Sequence, residues 1–187
     1  MIHFTLATQD FKLRQKEIAL IHNKAFAEFP WFFDATDEEV TKHISEIISK
    51  KGFEAFLAYK RNRTIVGVLT YDVPSIPEFK QEWGEDLASF SALLLKEHSI
   101  NALIWEREVF VLPEYQGEKI GNNLRKSFLS YLQLQYPQGV LVLTRMRDDN
   151  VKIIHIAEKL GYQRTGIKTA STKKRVKQEY WYKLLLP

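Results

Sequence analysis

The chain of 187 residues contains no cysteine. This excludes disulfides, thiolate zinc sites and a cysteinyl-acyl intermediate, and a reducing compartment is the expected one. Long apolar runs are missing too. No stretch approaches a membrane span, and the opening "MIHFTLATQDFKLRQKE" lacks an apolar h-region. Neither membrane insertion nor a signal peptide is expected, and the cytoplasm is the expected location. There is no internal repeat, low-complexity tract or obvious linker. His3, His22, His43, His98 and His155 are scattered without ligand spacing, so no metal is expected. A large charge excess is absent as well: the formal net charge is +4, which mildly favours an anionic ligand.

What the chain has is apolar material, 45% hydrophobic and 13% aromatic, enough for a core and too much for disorder. The length suits one domain over 1–187, with an insertion at 72–104. "IHFTLA" alternates like a first strand, and Asp10 is placed to cap the helix after it. Ile18, Ile21, His22, Ala25, Phe26 and Phe29 share one face of that helix, which ends near Pro30. Thr36 and Glu39 form a capping box for a second helix, with Val40, Ile44, Ile47 and Ile48 as its buried stripe. "AFLAY" and "TIVGVLTY" flank a turn as two strands. Pro74 and Pro77 break the chain before "DLASFSALLLKEHSI", which reads as a helix. A strand at 104–112, a helix with Ile120, Leu124, Phe128 and Tyr131 on one face, an apolar strand at 139–144, a helix capped by Asp149 or Asn150 and ended at Gly161, and strands near 162–167 and 178–186 complete a mixed α/β order.

"LPEYQGEKIGNNL" is the distinctive stretch. A strand, a tight loop and a helix start bring unpaired backbone N–H groups to one place, where the helix dipole adds about half a positive charge. Such a place binds anions, most often phosphate. Gly117 and Gly121 let the backbone approach a ligand without a Cβ. The spacing fits neither a Walker loop nor the three-glycine Rossmann fingerprint.

"VFVLPEYQGEKIGNNL" resembles the signature of the GNAT superfamily of acyl-CoA-dependent N-acyltransferases, through Val111, Pro113, Gln116, Gly117 and Gly121. "VLVLTRMRDDNVKIIHIAEKLGYQRTG" resembles the family's next strand, Asn, short helix and Lys-Leu-Gly-aromatic ending, carried by Asn150, Lys159, Leu160, Gly161 and Tyr162. The resemblance covers about residues 104–166 and implies the GNAT acyl-CoA N-acyltransferase fold, a central mixed sheet of about seven strands flanked by helices. It implies acetyl-CoA as cosubstrate, its pyrophosphate on the N–H groups of Gln116, Gly117, Glu118, Lys119, Ile120 and Gly121. The pantetheine arm would lie between the strands at 104–112 and 139–144, with Val109, Phe110 and Val111 flanking the thioester and Asn150 nearby. The implied activity is an N-acetyltransferase acting by direct transfer to a primary amine, either of a small molecule or of a protein N-terminus or lysine. A homodimer is in keeping with such folds.

Two residues depart from the family pattern. Lys119 stands where glycine is usual; we expect it in the first helical turn, its ammonium near phosphate or exposed. Ala157 stands where many members carry a tyrosine that protonates the leaving thiolate, so water or the departing ammonium must supply that proton. For the base, Glu108 and Glu106 share one strand face, and Glu108 is nearer the thioester by sequence; alternatively both neutralise Arg107 or Arg145. Trp31, Phe32 and Phe33, after Pro30, are the candidate wall of the acceptor pocket, and Trp83 and Phe90 a second one. A non-catalytic acyl-CoA-binding module is the alternative function. A nucleic-acid-binding protein using the basic run at 173–177 ranks below it, and nucleic acid is not an expected partner.

Overall fold

Residues 2–27, 35–170 and 177–187 are described by the computed structural model. Strand β1 (Ile2–Leu6) leads into α1 (Thr8–Leu13) and α2 (Gln15–Phe26), two helices where the apolar spacing suggested one. Asp10 is not a cap. It lies inside α1, where its carboxylate accepts the Tyr59 hydroxyl hydrogen and sits 3.6 Å from Arg14. A tertiary partner has displaced the local one. Helix α3 (Asp37–Ile48) starts with the expected capping box: Thr36 accepts from the Glu39 N–H, and Glu39 accepts from that of Thr36. The hairpin β2 (Glu54–Lys60) and β3 (Ile65–Asp72) follows.

The segment after β3 holds α4 (Ile76–Trp83) and α5 (Glu85–Glu97), separated by Gly84. Ser75 and Glu78 form a second capping box, with Pro77 in the first turn, where its missing N–H costs nothing. The chain continues through β4 (Leu103–Val111), a 3-10 turn at Pro113–Tyr115, α6 (Ile120–Gln135), β5 (Val140–Arg147), α7 (Val151–Lys159), β6 (Gln163–Ala170) and β7 (Lys177–Leu185). Asn150 caps α7 as expected, its side-chain oxygen 3.3 Å from the Ile153 nitrogen.

The seven strands form one mixed sheet in the order β1-β2-β3-β4-β5-β7-β6. The β1–β2–β3 and β5–β7–β6 pairs are antiparallel, whereas β4 runs parallel to β5, Leu103–Glu106 lying opposite Leu141–Thr144. With helices flanking it, this is the α/β arrangement expected. Among the described residues no helix is long and apolar enough to cross a membrane.

The chain divides into two compact units, Met1–Asp72 with Arg107–Leu129, and Val73–Glu106 with Ser130–Pro187. In the first, the stripes of α2 and α3 (Ile18, Ile21, Val40, Ile44) meet Leu57 and Phe110. In the second, Phe79 and Leu87 pack with Trp105, Leu141, Leu143 and Tyr180. Gly67 decides how close α6 comes to β3. A Cβ there would stand 3.0 Å from Ile120 Cγ2, 3.2 Å from Leu124 Cδ1 and 3.4 Å from Val111 Cγ2. Gly67→Ala is therefore expected to cost about 1–3 kcal/mol through overpacking. Urea denaturation checks this, and a variant as stable as the parent would show that α6 shifts freely.

Candidate active site

Strand β4 divides its side chains between two faces, as a pleated strand must. Glu108 and Phe110 meet the α2–α3 side, where the Phe110 ring lies edge-on to His22 with centroids 5.2 Å apart. Val109 and Val111 meet α6, their methyls 3.8 and 3.7 Å from where a Cβ on Gly121 would be. Phe110 is 3% exposed, so its side chain serves the core and only its backbone could meet a ligand.

The end of β4 leads into the glycine loop. After the Pro113–Tyr115 turn the backbone enters the left-handed region twice, at Gly117 (φ +88°) and Lys119 (φ +64°). Lys119 is thus not in the first helical turn. It is the residue before α6, and its carbonyl accepts the first helical bond, from the Asn123 N–H at 2.9 Å. The chain needs a second left-handed residue to turn from the loop into the helix axis, and lysine fills it with strain. Lys119→Gly should raise stability by about 1 kcal/mol, since glycine adopts this conformation freely. A thermal melt at or below that of the parent would contradict this. Gly117 has open space where a Cβ would be, with nothing within 4 Å. Glu118 and Lys119 are exposed, whereas Ile120 is buried. The Gln116 amide nitrogen reaches the Val111 carbonyl at 3.4 Å.

The two candidate carboxylates have different partners. Glu106 is 1% exposed and accepts the Tyr162 hydroxyl hydrogen at 2.6 Å. Arg107 pairs with Asp72, and Arg145 lies over the Trp83 ring, 4.9 Å from its centroid. Glu108 sits between two histidines. Its Oε1 is 2.8 Å from His43 Nε2 and its Oε2 is 3.5 Å from His22 Nε2. Burial pushes the Glu108 carboxyl up, but the hydrogen bonds and charge of His22 and His43 outweigh it and hold the group well below the usual carboxylate range. The bond to Glu108 raises the His43 pKa above its ordinary value, against burial, which lowers it.

Sequence reading missed these histidines as site residues, because 21 positions separate them on different helices. The fold converges them: ligand-type atoms of His22, His43 and Glu108 all lie within 4.8 Å of one another, a spacing that could also hold a cation. Asn150 uses its side chain as the α7 cap, and Ala157 is fully buried. The acceptor-wall residues Trp31, Phe32 and Phe33, and positions 173–176 of the basic run, lie outside the described residues.

No protein-family model matches the sequence, and no curated protein matches it either. Solved structures do match. Arabidopsis thaliana NAA60 in complex with a bisubstrate analogue superposes with a TM-score of 0.68 at 12% identity, over 99% of each chain. The GNAT superfamily phosphinothricin acetyltransferase of Sinorhizobium meliloti, in complex with AcCoA, gives 0.63 at 13% identity over 99% of this chain and 89% of that one. The ribosomal-protein-S18-alanine N-acetyltransferase of Escherichia coli gives 0.62 at 13%, over 100% and 96%. The superposition runs end to end: this chain has the fold of the GNAT acetyltransferases.

Proposed function

We propose that this protein is an N-acetyltransferase that moves an acetyl group from acetyl-CoA directly to a primary amine. The observation that carries the reading is the joint between β4 and α6. Left-handed Gly117 and Lys119 lead straight into the α6 N-terminus, whose first N–H groups have no helical acceptor. Nine residues before Gly117, β4 carries Glu108, which faces its histidine partners on α2 and α3. The joint thus offers an anion site for the CoA pyrophosphate, and the strand that leads into it carries the carboxylate of a cluster that can take a proton from the amine. The open space beside Gly117 and the exposed Lys119 ammonium suit a phosphate ligand. The end-to-end likeness to acetyltransferases solved with acetyl-CoA or a bisubstrate analogue supports the same reading.

In this reaction the neutral amine attacks the thioester carbon, the C–N bond forms, and the C–S bond breaks. With alanine at 157, the N-acyl ammonium formed in that step hands its proton to the departing CoA thiolate. Glu106 is buried and accepts the Tyr162 hydroxyl hydrogen, so the base is sought at the Glu108 cluster. The test is calorimetry with acetyl-CoA, followed by thiol release over a panel of amines: a polyamine, an aminoglycoside, free amino acids and a peptide with a free N-terminus. Saturable binding and release with one amine class are expected. An absence of binding heat at millimolar acetyl-CoA would overturn the proposal, and binding without release from any amine would leave an acyl-CoA-binding module in its place.

A further inference from the structure

Glu108 Oε1 is already occupied as a hydrogen-bond acceptor, whereas Oε2 is buried with no hydrogen-bond partner among the described residues. His43 Nε2 lies 2.8 Å from its Oε1, and His22 approaches its other oxygen. The His22 ring is 3% exposed and wedged against Phe26 and Phe110, with centroids at 4.5 and 5.2 Å. The His43 side chain, in contrast, keeps 41% of its area exposed. A carboxylate bonded in this way has little affinity for a further proton. An imidazole that donates one N–H to a carboxylate is in the opposite condition: the bond fixes the proton on one nitrogen and leaves the other as the acceptor.

From this geometry we infer that His43 is the general base of the acetyl transfer and that Glu108 is its positioning residue. The inference rests on the N-acetyltransferase reading above. With Nε2–H held by Glu108, the lone pair of His43 Nδ1 takes a proton from the acceptor ammonium. R–NH3+ becomes R–NH2, and His43 becomes an imidazolium whose charge is balanced by the adjacent carboxylate. The amine then attacks acetyl-CoA, and His43 returns its proton to water before the next turnover. The net change is an amide, CoA thiol and one released proton.

The two carboxylates facing His43 agree in sign with this role, and one arginine does not. Glu108 from β4 raises its pKa most, Glu46 on its own helix adds to this, and Arg107 from β4 opposes it. His22 from α2 lies edge-on, its ring centroid 5.7 Å away. A raised pKa makes the neutral imidazole a stronger base. It also sets the pH window: turnover is low while His43 is protonated and rises as pH passes upward through a pKa above the ordinary 6.5.

The decisive experiment combines an NMR titration with kinetics on the wild type, His43→Gln and Glu108→Gln. The resonance lost in His43→Gln identifies His43, and it is expected to titrate above 6.5 in the wild type and at lower pH in Glu108→Gln. With the amine that supports thiol release, kcat of His43→Gln should fall by about 100-fold or more while the KM for acetyl-CoA changes little. Glu108→Gln should keep the acid limb of the pH–rate profile but move it to lower pH, because glutamine still accepts the Nε2–H and has lost only the charge. If Glu108 itself were the base, Glu108→Gln would erase that limb and His43→Gln would retain it, and the inference would be wrong. An ordinary His43 titration in the wild type would also overturn it. Equal release by wild type and His43→Gln would sink this inference alone, whereas no release by the wild type from any amine would take the acetyltransferase reading down with it. Stoichiometric zinc binding by the wild type, lost in His43→Gln, would replace the base with a metal centre.

Discussion

Asp72→Ala is expected to lower the free energy of unfolding by about 3–5 kcal/mol. Asp72 ends β3 and Arg107 lies in β4, and their side chains are only 4% and 9% exposed. The guanidinium engages both carboxylate oxygens, through Nε to Oδ1 and through Nη2 to Oδ2 at 3.2 Å. Such a fork satisfies the charge in a place where water cannot. Removing the carboxylate leaves a buried guanidinium that cannot neutralise itself by losing a proton at any accessible pH. The loss is therefore mostly a desolvation cost, and the pair is worth less than the single variant suggests. Replacing both residues with apolar ones of similar volume should recover most of the stability. Urea denaturation of the two single variants and the double variant gives the coupling directly. A single-variant loss under 1 kcal/mol would mean that Arg107 finds another anion or swings out to water. Arg107 precedes Glu108 in the strand, so the pair also fixes the stretch of β4 from which the Glu108–His43 contact is made.

Signals that are local in the chain were readable without coordinates. Thr36 and Glu39 are three apart and cap the same turn, so the start of α3 could be placed from the sequence alone. The same signal stood in Ser75 and Glu78, but Pro74 and Pro77 read as breaks. Pro77 belongs to the first turn of α4, where proline is at home. The order of elements and the glycine loop were legible from periodicity and spacing, and a sheet of about seven strands from the family resemblance, whereas the order of strands across that sheet was not. The histidine cluster was half legible. His22 falls on the apolar face with Ile18 and Ile21, whereas His43, its side chain 41% exposed, stands outside the buried stripe of Val40, Ile44 and Ile47. A histidine on a buried face needs a partner, and that need was visible although Glu108 as the partner was not. What sequence could not supply was distance between remote segments: the approach of α6 to Gly67, and the pairing of Arg107 with Asp72 across 35 positions. Lys119 misled for another reason. Its side chain fits a helix, so its left-handed backbone, imposed by the turn into α6, had no mark in the residue type.

Gly121→Glu should weaken acetyl-CoA binding by about 100-fold or more, because a carboxylate set against a pyrophosphate costs several kcal/mol. The same substitution should leave the fold intact or slightly firmer. Gly121 is the second residue of α6, and a Cβ there would meet only ordinary contacts at 3.7 and 3.8 Å. The first turn of α6 carries no acidic residue, and a glutamate placed there gains about 0.3–1 kcal/mol from the helix dipole. Replacing glycine inside a helix adds a further contribution of about 1 kcal/mol or less. Affinity and stability are thus predicted to move in opposite directions, which separates a ligand site from a structural turn. Calorimetry on the variant, paired with a thermal melt, reads both quantities. If the loop only shapes the entry to α6, the melt will rise and acetyl-CoA affinity will stay within about twofold, well under the 1.4 kcal/mol of a tenfold change. If the α6 N-terminus holds the pyrophosphate, the added carboxylate occupies the field that the phosphate needs. Gly121→Ala then serves as the control for bulk: it adds a Cβ without charge, so the part of the loss it fails to reproduce belongs to electrostatics at the helix end.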